Sequence, residues 1–213
     1  KMSAIGGYPV EITQAATQSN ITGSTALTQE MVDAGESLTV IENGKMATYK
    51  ATEDDTVDTM IQNLRNEISR NGLEVDIESD GGKISAYHRK YGSDYSFQVS
   101  SSTAGVLSKA ADQIESTQKG LDVKGTINGE SATGKGQLLT GVKGAKCVEG
   151  LAVRYQGGSR EAQDRNCVVN DRYVEVKAEG ENESQEIPEG GVSVGRVFVS
   201  QKSLKFQVGA NQD

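Results

Sequence analysis

Apolar and polar residues alternate over short stretches along most of this chain, and clear helical spacing is confined to a single stretch. Tyr8–Gln14 alternates with Val10 and Ile12 on one face, which predicts a strand, because side chains of extended backbone point to opposite sides in turn. A Ser, Thr and Asn-rich stretch follows up to Thr28 and reads as a linker. Ser37–Glu42 and Lys45–Lys50 alternate on either side of Asn43-Gly44, a dipeptide that tolerates positive φ at both positions, so a hairpin is expected. Val57, Met60, Ile61, Leu64 and Ile68 recur three and four apart. They predict an amphipathic helix over about residues 56–71, capped by Asp55 or Thr56 and closed by Gly72. Residues 73–78 and 83–88 alternate around Asp80-Gly81-Gly82 as a second hairpin, and residues 95–100 add a strand. Residues 36–101 thus spell β-β-α-β-β-β, one small sheet with a helix over one face.

A weaker helical pattern runs through Val106, Leu107, Ala110, Ala111 and Ile114, and Gly120 would stop it. From Leu121 onward the pattern is strand-like: residues 121–127, 137–140, 150–155, 173–177, 192–200 and 203–208. Residues 157–166 and 178–191 are polar and charged and read as exposed loops. The fold class expected is α+β, mostly β, with small antiparallel sheets, one main helix and two small subdomains. The organisation expected is a leading strand and linker (1–35), an α+β subdomain (36–118), a β-rich subdomain with exposed loops (119–191) and a return hairpin (192–213).

Composition narrows the functions open to this chain. With 35% hydrophobic and 5% aromatic residues and no Trp, its 213 residues favour thin cores over one thick one. A net charge of -8 repels nucleic acid and anionic lipid, so neither is an expected partner. No apolar run approaches the length of a membrane span, and residues 1–14 lack the basic and apolar regions of a secretory signal.

Several motifs invite chemistry. Gly129 to Lys135 has the G-x-x-x-x-G-K spacing of a phosphate-binding loop, but Gly136 stands where the magnesium-binding hydroxyl belongs and residues 136–141 are too glycine-bounded to start a helix. A glycine-turned β segment is the simpler reading. Residues 76–81 begin like a calcium loop, yet the twelfth position is Tyr87 instead of a bidentate Glu. The acidic run Glu179, Glu181, Glu183, Glu186 and Glu189 reads as a solvated loop. His88 is the only histidine, which rules out a multi-His metal centre, and it has no nucleophile signature nearby. No pair of carboxylates is singled out. Catalytic residues, metal ligands and cofactors are therefore not expected. Cys147 and Cys167 are compatible with one disulfide or two inert thiols. Asn20-Ile-Thr22 and Asn182-Glu-Ser184 fit the N-glycosylation pattern, which is common by chance.

One stretch carries a resemblance. Gly125, Thr126, Ile127, Asn128, Gly129, Ala132, Thr133, Gly134, Gly136, Gln137, Leu139, Thr140 and Gly141, followed by Gly150, Leu151 and Val153, resemble the hook IN motif of bacterial flagellins and of the hook-associated filament cap protein. Leu204, Phe206, Gln207, Val208, Gly209, Ala210 and Asn211 resemble the segment through which a flagellin's variable region leads back to its C-terminal helices, which favours flagellin over the cap protein. The long heptad-rich helices of a filament core are not in this sequence, and residues 157–191 match nothing in the pattern.

The resemblance implies a structural protein, the outer, surface-exposed domains of a flagellin, extracellular on the bacterial flagellum. Its implied partners are other flagellin subunits, with glycans or host surfaces as further possibilities. The fragment itself would be a monomer, with residues 8–14 and 192–208 side by side as the two ends of one insertion. On an extracellular filament a Cys147–Cys167 disulfide would close an exposed loop and contribute roughly 3 kcal/mol. Two other readings stand beside this one: the outer domains of the filament cap protein, and a carbohydrate-binding or adhesion module built on the loops of 157–191.

Overall fold

The computed structural model describes residues 8–156 and, beyond them, the backbone of the strands Val169–Asn170, Tyr173–Val176 and Val192–Val197. The chain divides into two compact units: residues 18–120 form one, and the segments up to 17 and from 121 form the other. Strand β1 (Tyr8–Gln14) belongs to the second of these, which is here the sheet unit. The α+β unit is thus inserted between β1 and the remainder of the sheet unit.

Within the α+β unit, β2 (Gln18–Thr22) is followed by a short helix α1 (Gln29–Asp33), then β3 (Ser37–Glu42) and β4 (Lys45–Lys50). Asn43 and Gly44 both take positive φ, 49° and 78°, as the hairpin requires. Helix α2 (Val57–Arg70) begins at Thr56, whose hydroxyl accepts the Thr59 amide while Thr59 Oγ1 accepts the Thr56 amide. This reciprocal cap satisfies two amides that the helix itself leaves without partners. Then come β5 (Val75–Asp80), β6 (Lys83–Tyr91), β7 (Gln98–Ser101) and the two-residue β8 (Glu115–Ser116).

These strands form two sheets, ordered β2-β6-β5 and β4-β3-β7-β8, where the sequence suggested one. The difference comes from β2, a polar strand within the stretch that read as linker. Ser19 is fully buried there because its hydroxyl bonds the Thr117 hydroxyl at 2.6 Å and the Gln118 carbonyl at 2.8 Å. Both sheets share one core with α2: Met60, Ile61, Leu64 and Ile68 meet Leu38, Val40 and Ala47 from one sheet and Val75, Ile77, Ile84 and Ala86 from the other.

The weak helical pattern over 104–115 does not form a helix. Ser101 Oγ accepts the amides of Leu107 and Ser108, and Ser108 Oγ accepts that of Ser101, so side chains hold the segment in turns. Val106 and Leu107 are apolar because they enter the core, not because they line a helix face.

The sheet unit continues with β9 (Lys124–Ile127), β10 (Glu130–Lys135), β11 (Leu138–Gly141), β12 (Ala152–Tyr155), β13 (Val169–Asn170), β14 (Tyr173–Val176) and β15 (Val192–Val197). Together with β1 they make an eight-stranded sheet in the order β13-β14-β12-β11-β10-β9-β1-β15, antiparallel except for the parallel β12–β14 pair. Among the described residues, Val10, Ile12, Val123, Ile127, Leu139, Val148 and Val153 are fully buried in it. The first and last of the described strands are neighbours, with Tyr8 opposite Val197 and Ile12 opposite Val192.

The two chain segments that join the units are tied on both sides of the junction. In the sheet unit the Thr17 amide donates to the Leu121 carbonyl at 2.9 Å and the Leu121 amide to Thr17 Oγ1 at 2.8 Å. In the α+β unit the Ser19–Thr117 bond is joined by the Asn20 amide on the Gln118 carbonyl. Among the described residues no helix is long and apolar enough to cross a membrane.

Candidate functional site

The motif region folds as a meander of three short strands. β9 holds Gly125, Thr126 and Ile127; Asn128-Gly129 make the turn; β10 holds Ala132, Thr133 and Gly134; Gly136-Gln137 make the next turn; β11 holds Leu139, Thr140 and Gly141. Gly150 and Leu151 lead into β12. The pairing Lys135↔Leu138 leaves Gly136 first in a two-residue turn with φ 55°, the position at which such a turn needs glycine. Three glycines within strands serve another purpose. A Cβ added at Gly134 would fall on the carbonyl oxygen of Val123, one at Gly125 on that of Glu11, and one at Gly141 on that of Val148. The glycine spacing thus records where neighbouring backbone comes closest. A strand, not a helix, follows Lys135, so no helix N-terminus is presented to a phosphate.

The other concentration of chemistry lies inside the α+β unit. His88, 1% exposed, bonds Glu42 Oε1 through Nε2 at 2.8 Å, and Glu42 is 4% exposed. Glu42 Oε2 accepts the Glu74 amide at 2.6 Å, and His88 Nδ1 accepts the Lys90 amide at 2.9 Å. Because Nδ1 accepts, the neutral ring carries its proton on Nε2 and donates it to Glu42. Tyr95 stacks on the imidazole with ring centres 5.0 Å apart, and Lys90 pairs with Glu74 at 2.6 Å. The Lys90 ammonium, chiefly by its hydrogen bond, holds the Glu74 carboxyl below its ordinary value, and Glu74 in turn raises that of Lys90.

Glu42, Glu74 and His88 place ligand atoms within 4.8 Å of one another. Each is already engaged. A cation on this trio would have to displace the Nε2 proton, which cannot move to Nδ1 while the Lys90 amide occupies it, and also the Lys90 ammonium. The cluster is built as a brace: Glu42 and His88 are buried, and Glu74, at its half-exposed edge, is held by Lys90.

Asp55 organises a third network. Its carboxylate accepts the Thr52 amide at 2.8 Å, the Tyr49 hydroxyl at 2.8 Å, the Thr52 hydroxyl at 2.9 Å and the Thr59 hydroxyl at 3.1 Å. The Thr52 amide, then the Tyr49 hydroxyl, lower its carboxyl from 3.8 to about 2. Asp55 bonding likewise raises the Tyr49 hydroxyl. A carboxyl whose folded value is depressed adds stability that is complete above pH 3.8 and is lost as pH falls through about 2. Acid titration of Asp55→Asn followed by circular dichroism is expected to show a flatter stability profile over that window than the parent. Parallel profiles would show that these bonds do not favour the ionised form.

No family model matches the chain, and no curated protein matches it. Among solved structures, similarity is found to flagellar cap proteins. The D2-D3 domains of the flagellar cap protein FliD from Serratia marcescens align with a TM-score of 0.42 at 17% identity, over 62% of this chain and 78% of that one. For the D2-D3 domains of Escherichia coli FliD the values are 0.43 and 16%, over 68% and 80%, and for its D1-D2-D3 domains 0.42 and 15%, over 68% and 45%. These scores mark a partial likeness of fold, and no residue role is carried across.

The remaining sequence expectations divide by location. Cys147 is exposed beside Glu130, whose carboxylate accepts the Cys147 amide at 3.1 Å, while Cys167 lies outside the described residues. So do the flagellin-like residues Leu204, Phe206, Gln207, Val208, Gly209, Ala210 and Asn211 and most of 157–191. The calcium-like run is the β5–β6 hairpin, with Asp76 bonded to Arg89 at 2.8 Å. The brace centred on Glu42 was missed, since that residue stands in no recognisable motif, and Asp55, expected as an alternative cap of α2, instead accepts bonds beside the cap that Thr56 forms. For the Glu42 brace the local signal was a lone histidine on an alternating strand.

Proposed function

We propose that this chain forms a pair of outer domains of an extracellular bacterial flagellar subunit and that its role is structural. The observation that supports this most directly is the folding of the hook IN-like segment. Its glycines are accounted for by strand turns and close backbone contacts, as a structural motif requires. The adjacency of β1 and β15 supports the same reading, since a region inserted into a polymerising core needs neighbouring ends. The implied partners are other flagellar subunits, met through an acidic, polar surface.

Two subunits carry this motif. The flagellin reading rests on residues 203–212, outside the described part of the chain. The cap-protein reading is the better supported of the two by the described part, since the solved structures of partly similar fold are cap-protein domains. Immunogold microscopy of the source bacterium with antibody against this chain separates them: label along the filament identifies a flagellin, and label confined to the tip identifies the cap. A flagellum without label would overturn both. The adhesion reading would need loss of cell binding on deletion of residues 157–191.

A further inference from the structure

We propose that Asn43 is a site of spontaneous deamidation and that the carboxylate it leaves weakens the buried Glu42–His88 brace. Three Asn-Gly pairs occur in the chain: Asn43-Gly44, Asn71-Gly72 and Asn128-Gly129. Glycine after asparagine exposes the backbone nitrogen that can attack the side-chain amide. The glycine nitrogen bonds the asparagine Cγ, ammonia leaves, and water opens the resulting succinimide to aspartate or isoaspartate. No oxidant or second reactant besides water is needed.

Structure separates the three pairs. Asn71 caps α2, with its side-chain Nδ2 and its own amide both donating to the Glu67 carbonyl. The Asn128 amide donates to the Pro9 carbonyl at 2.7 Å, and that residue is half-buried. Asn43 is exposed at the tip of the β3–β4 hairpin, beyond the last ladder pair, Glu42↔Lys45. A Cβ on Gly44 would meet nothing within 4 Å, so the peptide has room to swing into the geometry of attack. Asn43 is the pair least held by its surroundings.

The consequence follows from where the Asn43 side chain lies. Its Nδ2 donates to Glu42 Oε1 at 3.4 Å, the same oxygen that receives His88 Nε2. Three donors meet the Glu42 carboxylate, the His88 ring, the Asn43 amide and the Glu74 backbone amide, while the one anion close by, the Glu74 carboxylate, is paired with Lys90. Deamidation replaces one donor by an anion beside a nearly buried carboxylate, a repulsive contact that the exposure of residue 43 only partly screens. Isoaspartate adds a backbone carbon to a two-residue turn and also breaks its geometry.

The full chain would be held at mildly alkaline pH and sampled by peptide mass mapping and urea denaturation. Asn43 is expected to lose its amide first, ahead of Asn71 and Asn128, with stability of the α+β unit falling on the same time course. Asn43→Gly, which suits the turn and has no amide to lose, should abolish that decline. Freshly made Asn43→Asp should melt about 5 °C below the parent, a typical shift for a modest loss in a domain of this size. Faster loss at either other asparagine would overturn the site, and an unchanged melt of Asn43→Asp would overturn its link to the brace.

Discussion

Gly134→Val is expected to destabilise the sheet unit by about 3 kcal/mol or more, the upper range for forcing volume into a packed interior. The cause is position, because Gly134 does not take positive φ. Its α-carbon faces the carbonyl oxygen of Val123, and the first added carbon would lie only 1.6 Å from that oxygen. Val123 is itself held by its amide bond to the Gly136 carbonyl at 2.8 Å and has its side chain in the core. Relief would require β10 to pull away from that segment or the Gly134↔Leu139 pairing to break. The contrasting variant is Gly129→Asn. Gly129 has φ 68° in the turn, with nothing within 4 Å of an added Cβ, and asparagine tolerates that conformation. Its cost should stay below about 1 kcal/mol. Equal urea midpoints for the two variants would refute the close-approach account.

His88→Ala is expected to cost the α+β unit about 3–5 kcal/mol, the range for truncating a large buried ring and leaving a buried acceptor short of its donor. Two losses combine. A large, nearly buried ring leaves a cavity beneath Tyr95, and Glu42 Oε1 loses its closest side-chain donor while remaining 4% exposed. Removing both partners should not restore the parent's stability. In a His88→Leu, Glu42→Leu double variant, the amides of Glu74 and Lys90 would each lose an acceptor. Thermal melts of the two single variants and the double variant form a cycle that measures this. Full recovery in the double variant would mean that the brace contributes no net hydrogen bonding to the fold.

Local features were the most legible. The Asn43-Gly44 hairpin and α2 are specified by neighbours in the chain, through a turn dipeptide and a five-residue apolar stripe, and both occur where their patterns lie. β2 was not legible, because its buried member is Ser19 and a hydroxyl satisfied by Thr117 leaves no apolar trace in the pattern. The same holds for His88. Its partner Glu42 is 46 residues away, and alternation shows only that a polar residue occupies an inward position. Residues 104–115 failed in the opposite sense: burial of Val106 and Leu107 mimicked a helix face while Ser101 and Ser108 bound the amides. At Gly125, Gly134 and Gly141 the pattern of glycines was visible, but its reason was not, since that reason is a carbonyl from a different stretch of chain.

The paired segments at Thr17 and Leu121 also determine how the molecule carries a pull. Tension applied through the outer ends of β1 and β15 loads an antiparallel pair whose ends are neighbours, so its hydrogen bonds break in succession. The inserted residues 18–120 stay off that load path while Thr17 remains bonded to Leu121. Stretching by the two ends would therefore open the sheet unit first, and the α+β unit would feel the force only after β1 has peeled away.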